Sequence, residues 1–260
     1  MLFGALQKSS YLIGLGILAT YVVFCSAQDV ALAQLLQAHD PIVLLVYCFT
    51  VTALFFNALQ LRSKRHFTEY CTRLRKNVRS VVLMNITTAV AWITTGYALK
   101  YIEPALATGI TLGIMPLLNL LFGRTPKTRA NMISAVGIGA SVLWMSVNIH
   151  QGTSSTGTLH AGDCWIGLVC SLICSVACVA QVEITKSLSA LPESERWNEQ
   201  QILAARFFLL IAVGLFLWPN ETTFALNNSG NVISILLLSF GGTVIPLYCL
   251  QLGITRCDTF

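Results

Sequence analysis

The sequence predicts an all-α integral membrane protein with eight membrane-crossing helices. Three observations predict it. Of 260 residues, 55% are hydrophobic and only 10% charged, where a soluble domain carries about a quarter charged residues. Mean hydropathy is +0.70. Apolar runs of about 20 residues, the length that crosses a ~30 Å hydrocarbon core, recur along the whole chain.

The expected spans follow in order. Tyr11–Gln37 comes after Lys8 and a polar pair; no small-x-small site and hydrophilic domain follow it, so it is not read as a cleaved signal. Pro41–Leu61 opens on a proline and runs into a basic connection. Val81–Tyr97 ends at the polar knot Lys100-Tyr101-Ile102-Glu103-Pro104, which turns the chain into Pro104–Gly123 as an antiparallel partner. Met132–Ile149 carries the glycine-rich stretch "VGIGASVLW". Trp165–Thr185 bears Cys170, Cys174 and Cys178 at i, i+4, i+8, Ile202–Trp218 contains Arg206, and Val232–Leu252 closes the set.

With strict alternation, fourteen of the sixteen basic residues fall on one side: Lys8, the seven between Arg62 and Arg79, then Arg124, Lys127, Arg129, Lys186, Arg196 and Arg256. Lys100 alone falls on the other, and Arg206 lies in a span. Lys and Arg mark the cytoplasmic side, so the N-terminus is expected inside. That asymmetry accounts for the net charge of +5 without nucleic acid; "RLRKNVR" is expected to meet anionic lipid.

The chain repeats itself. Ile13-Gly14-Leu15 aligns with Ile166-Gly167-Leu168, and Cys25-Ser26-Ala27-Gln28 with Cys178-Val179-Ala180-Gln181, both at a shift of 153. Tyr97-Ala98-Leu99 aligns with Tyr248-Cys249-Leu250 at a shift of 151. Residues 1–150 would form one unit of five spans and residues 163–260 a second of three. An odd number of spans per unit inserts the copies upside down relative to each other, the construction of secondary transporters with a mid-membrane site.

"TTGYALKYIEPALATGITLGIMPLLNLLF" resembles the third and fourth spans of the EamA-like drug/metabolite transporter superfamily, "VGIGASVLW" its fifth helix, and "AARFFLLIAVGLFL" its second. The resemblance implies ten helices in two inverted five-helix repeats that export a small metabolite, such as an amino acid or drug-like compound, by alternating access. In a bacterial chain the site of action would be the cytoplasmic (inner) membrane. The chain departs from the pattern at Cys48, where an arginine is usual, at Arg124, and at Phe260, where two further helices are expected. A non-transporting scaffold or degenerate paralogue, and a nucleotide-sugar-type carrier, are the alternatives; the latter needs a basic cavity, and only Arg206 is available.

Candidate cavity residues are polar or kinking groups at membrane depth. Trp92 and Pro116 both lie eleven residues into antiparallel spans, roughly 16 Å deep at 1.5 Å per residue, so they are expected to share a layer. Pro116 would free a carbonyl beside the cavity, and Asn119 would donate one turn away; ordinary packing is the alternative for both. Asp29 is either an interfacial cap or a cavity carboxylate with a role in proton or ion coupling. Gln28 and Gln181 are expected as a symmetry-related polar pair. Glu183 either lines the cavity or pairs with Lys186 at i+3, and Arg206 either snorkels to the interface or attracts an anion.

Enzymes are not expected. There is no Walker loop, metalloprotease His pair or Gly-x-Ser-x-Gly, and His39, His66, His150 and His160 all lie outside the spans. Nine scattered cysteines form no disulfide framework, and the span-6 thiols lack the Met or His partners of a copper site. No cofactor is expected; the partners are the bilayer, a small-molecule substrate and, as a homodimer, a second copy. Asn220-Glu221-Thr222 is an outward-facing glycosylation sequon.

Overall fold

In the computed structural model, residues 2–37, 39–122, 128–150, 161–193, 195–218 and 229–257 are described. They form helices joined by short turns, with no strand among them. In chain order these are α1 (Leu2–Leu36), α2 (Pro41–Leu61), α3 (Lys64–Lys76), α4 (Val78–Tyr101), α5 (Pro104–Phe122) and α6 (Arg129–His150). Then come α7 (Ala161–Ser189), α8 (Glu199–Ala205), α9 (Phe208–Phe216) and α10 (Ser229–Leu237). A π-helical stretch (Leu238–Val244) joins α10 to α11 (Ile245–Cys257). His160, the Asn220 sequon, Arg124 and Lys127 lie outside the described residues.

Seven helical segments are long and apolar enough to cross a membrane: Leu12–Leu36, Pro41–Leu61, Val78–Tyr101, Pro104–Leu121, Gly162–Ser189, Glu199–Phe216 and Val232–Ile254. They match seven of the eight expected spans. The remaining one falls within α6, whose described apolar stretch is the shorter Met132–Val142. Polarity is inverted relative to a water-soluble protein. Val23, Leu54, Ile133 and Phe216, the last 88% exposed, cover the outside, whereas Thr52, Thr88, Ser171, Ser175, Gln181, Ser239 and Thr243 are buried. Water would penalise that surface, and lipid does not. The chain is an all-α, multi-pass membrane protein.

Packing runs between the two halves of the sequence. α1 lies along α11, α4 along α7, and α2 against α8, α9 and the π-helical stretch; α5 sits between α6 and α7. Hydroxyls join the interfaces: Thr52 Oγ1 and Thr243 Oγ1 are 2.6 Å apart, and Ser175 Oγ donates to the Thr111 carbonyl at 3.1 Å. Such bonds hold helices together where no hydrophobic force distinguishes a neighbour from lipid.

One end of the bundle is polar and basic. The connection after α2, expected as a loop, folds into α3, a strongly amphipathic helix. Its Tyr70 packs edge-on to the fully buried Trp197, with ring centroids 6.3 Å apart, and burial pushes the Tyr70 phenol well up. Lys76 Nζ meets Glu195 Oε1 at 2.8 Å, and Arg73 donates to Gln201 Oε1 at 2.6 Å. Gln201 also closes a capping box with Asn198 at the start of α8. Arg65 bonds Glu69 at 2.9 Å along the exposed face and holds its carboxyl below the usual range. At the opposite end, Asp40 caps α2 by accepting from the Ile42 amide at 2.8 Å, with Pro41 in the first turn. The start of α7 meets the α4–α5 turn there, through Gly167 and Ile102.

Candidate functional site

The seventh span is not the continuous helix expected over Ile202–Trp218. α8 stops at Ala205, Arg206 and Phe207 form a bend whose dihedrals stay in the right-handed region, and α9 restarts at Phe208. Neither proline nor glycine lies within the break; a side chain reaches into the backbone ladder there, one recognised cause of such breaks. Asn85 of α4 donates through Nδ2 to the Ala205 carbonyl at 2.6 Å and accepts through Oδ1 from the Leu209 amide at 3.1 Å. Asn57 of α2 donates to the Ala204 carbonyl at 3.0 Å. Two asparagines thus take up backbone groups that hydrocarbon would leave orphaned.

Arg206 stands at the break and is 3% exposed. Its guanidinium does not reach a surface, so the snorkelling expectation is overturned. Nε has no hydrogen-bond partner. The guanidinium lies 5.4 Å from the centroid of the Phe207 ring, in cation–π range, and within electrostatic reach of Cys178 on α7 and Tyr21 on α1. Phe207 continues into an aromatic row, 5.0 Å from Phe49, which is 4.7 Å from Trp92. Trp92 therefore buttresses the break through Phe49. An arginine at a membrane helix centre costs about 2.5–3.5 kcal/mol on insertion scales.

Asp29 is 6% exposed and inside the bundle, not an interfacial cap. Thr108 Oγ1 of α5 donates to its Oδ2 at 2.6 Å. Tyr21, Cys25 and Asp29 are spaced at four residues on α1, so they share one stripe, and Cys25 Sγ lies 3.8 Å from the Tyr21 hydroxyl. Across from them on α7, Cys174 and Cys178 have sulfurs 3.8 Å apart, and Thr95 of α4 approaches Cys174 at 3.1 Å. The result is a buried polar column with a carboxylate toward one end and a guanidinium toward the other.

Gln28 and Gln181 are both buried, each against a helix of the other half. Gln28 packs on Gly242 of the π-helical stretch, where an added Cβ would come within 2.8 Å of its Cγ. Gln181 donates to Thr88 Oγ1 of α4 at 2.6 Å. Pro116 is exposed on the outer face of α5, so it does not line a cavity together with Trp92. Asn119 is half-buried. Glu183 is half-buried, two residues from Gln181 and hence on another face of α7.

Asn57, Asn85, Thr88, Thr108 and Tyr21 were not singled out by sequence. The signal available was an amide at mid-span, costly in lipid unless it has work. No group of three His, Cys, Asp or Glu able to hold a metal occurs among the described residues. No family model, curated protein or solved structure matches the chain.

Proposed function

We propose that the chain is a secondary transporter of a small organic metabolite, working by alternating access in a cytoplasmic membrane with its N-terminus inside. The reading rests on how the helices choose partners. Let the α7 span be the counterpart of α1, the α8–α9 span of α2, and the α10–α11 span of α4. Exchanging counterparts turns the contact of α1 with α11 into that of α7 with α4, and both occur. It turns α2 against the π-helical stretch into α9 against α4, and α1 against α4 into α7 against α11; these occur too. Gln28 on Gly242 and Gln181 on Thr88 are the same pair of helices under that exchange. Two inverted copies meeting at mid-membrane are expected to behave this way.

The irregular backbone supports the same reading. Non-helical backbone at membrane depth persists only inside protein or beside a cavity, and discontinuous helices recur at transporter binding sites. Both irregular segments, Arg206-Phe207 and Leu238–Val244, belong to the second half and pack on helices of the first.

The test is counterflow of a metabolite library into proteoliposomes holding the purified chain. At least one solute should exchange faster than in protein-free vesicles; exchange of none refutes transport. In a background with the native cysteines replaced, an impermeant thiol reagent on intact cells should label Lys100→Cys, and label Lys64→Cys only after permeabilisation. The reverse pattern refutes the orientation.

A further inference from the structure

We propose that Arg206 is the anchor for an anionic group, a carboxylate or phosphate, on the transported solute. This inference rests on the transporter reading and names the chemistry its site selects. Four observations converge. The guanidinium is buried, yet among the described residues it forms no ion pair and no hydrogen bond, and its Nε is an orphan donor. Its packing partner is the Phe207 ring, which supports a cation without neutralising it. It caps the C-terminal end of α8 and stands next to Phe207, the N-cap of α9, a nine-residue helix whose N-terminal end carries partial positive charge. The one buried carboxylate of the column, Asp29, already accepts from Thr108. It also sits eight residues beyond Tyr21 on α1, about 12 Å along the axis at 1.5 Å per residue.

A guanidinium offers five donors in a planar fork that matches a carboxylate or a phosphate at two points. Of the groups that face the guanidinium, Tyr21, Cys178 and the Phe207 ring, none is a carboxylate. A positive charge enclosed in this way is unbalanced until an anion arrives, and the solute supplies what the protein lacks.

The test uses the full chain in neutral detergent and reads its melting midpoint. The probes are inorganic phosphate, glucose 6-phosphate, 2-oxoglutarate and phosphatidylglycerol, against glucose and sodium chloride at matched ionic strength. A saturable rise with a soluble anion, absent with glucose, is expected. Arg206→Gln should abolish it, and Arg206→Lys, which keeps charge without the fork, should weaken it about tenfold. No rise with any anion, a rise with phosphatidylglycerol alone, or a rise that survives Arg206→Gln overturns the proposal. Should Arg206→Gln fail to fold, an unweakened response in Arg206→Lys overturns it equally. Anion binding without counterflow would sink the transporter reading and leave the anion site. Counterflow confined to uncharged or cationic solutes would do the opposite.

Discussion

Replacing Asn85 by alanine isolates the contribution of the clamp that holds the seventh span open. The Asn85 side chain joins the Val81 carbonyl at 2.9 Å, the Ala205 carbonyl at 2.6 Å and the Leu209 amide at 3.1 Å. The first bond is within α4; the other two cross to the break. Cross-helix hydrogen bonds in membranes average about 0.6 kcal/mol, so two give a floor of about 1.2 kcal/mol. A buried group left without a partner costs about 1–3 kcal/mol, so two orphans give a ceiling of about 6 kcal/mol. Partial closure of α8 onto α9 relieves some of that, and a loss of about 1–4 kcal/mol is expected. Thr87→Ala is the control, because the hydrogen bonds of that hydroxyl run to carbonyls of its own helix, Leu83 at 3.0 Å and Met84 at 3.1 Å. It should stay within about 0.5 kcal/mol of the native chain. The assay is reversible unfolding in mixed micelles with increasing dodecyl sulfate, followed by tryptophan fluorescence. If Asn85→Ala unfolds with Thr87→Ala, the asparagine does not sustain the break and the account of the site fails.

Thr52→Val and Thr243→Val should show a coupling of about 0.6–1.7 kcal/mol in a double-mutant cycle, because their hydroxyls meet at 2.6 Å across α2 and the π-helical stretch; additive losses refute a direct bond. Lys76→Glu or Glu195→Lys alone should lower the melting midpoint slightly, and the double reversal should recover it. The interaction of about 0.2–1 kcal/mol should vanish near 1 M salt, where charges are screened over about 3 Å. The Arg65 hydrogen bond depresses the Glu69 carboxyl, so any stabilisation from it is present above the unfolded value and lost as pH falls through the folded one. That carboxylate is in solvent, so Glu69→Gln should leave the midpoint unchanged between neutral and acidic pH.

Much of the fold was legible because lipid imposes a simple rule: long apolar runs become helices. Pro41 and Pro104 marked two starts well, since proline fits a first turn. α3 is not legible in the sequence because its apolar residues, Phe67, Tyr70, Cys71 and Leu74, are too few for a span and sit among basic residues that suit a charged loop. The break at Arg206 was invisible because nothing in "AARFF" forbids helix; the asparagines that open it lie more than a hundred residues away in sequence. Pro116 was misplaced for a related reason. Depth along a helix is counted from sequence, but which side faces in is decided by neighbours, and α5 turns that proline outward. Asp29, Gln28, Gln181 and Arg206 were legible as polar groups that lipid rejects, though not the partners they would find.

The wide turn of Leu238–Val244 has a genetic consequence. A π turn is an α-helix holding a surplus residue, so removing one residue there lets the segment relax to ordinary pitch with Tyr248 and Leu247 still facing as they do. The same deletion in the middle of α4 swings everything beyond it by about 100° and strips Thr95 from Cys174. Along the last span, then, tolerance to a lost codon should peak at this stretch and fall on either side.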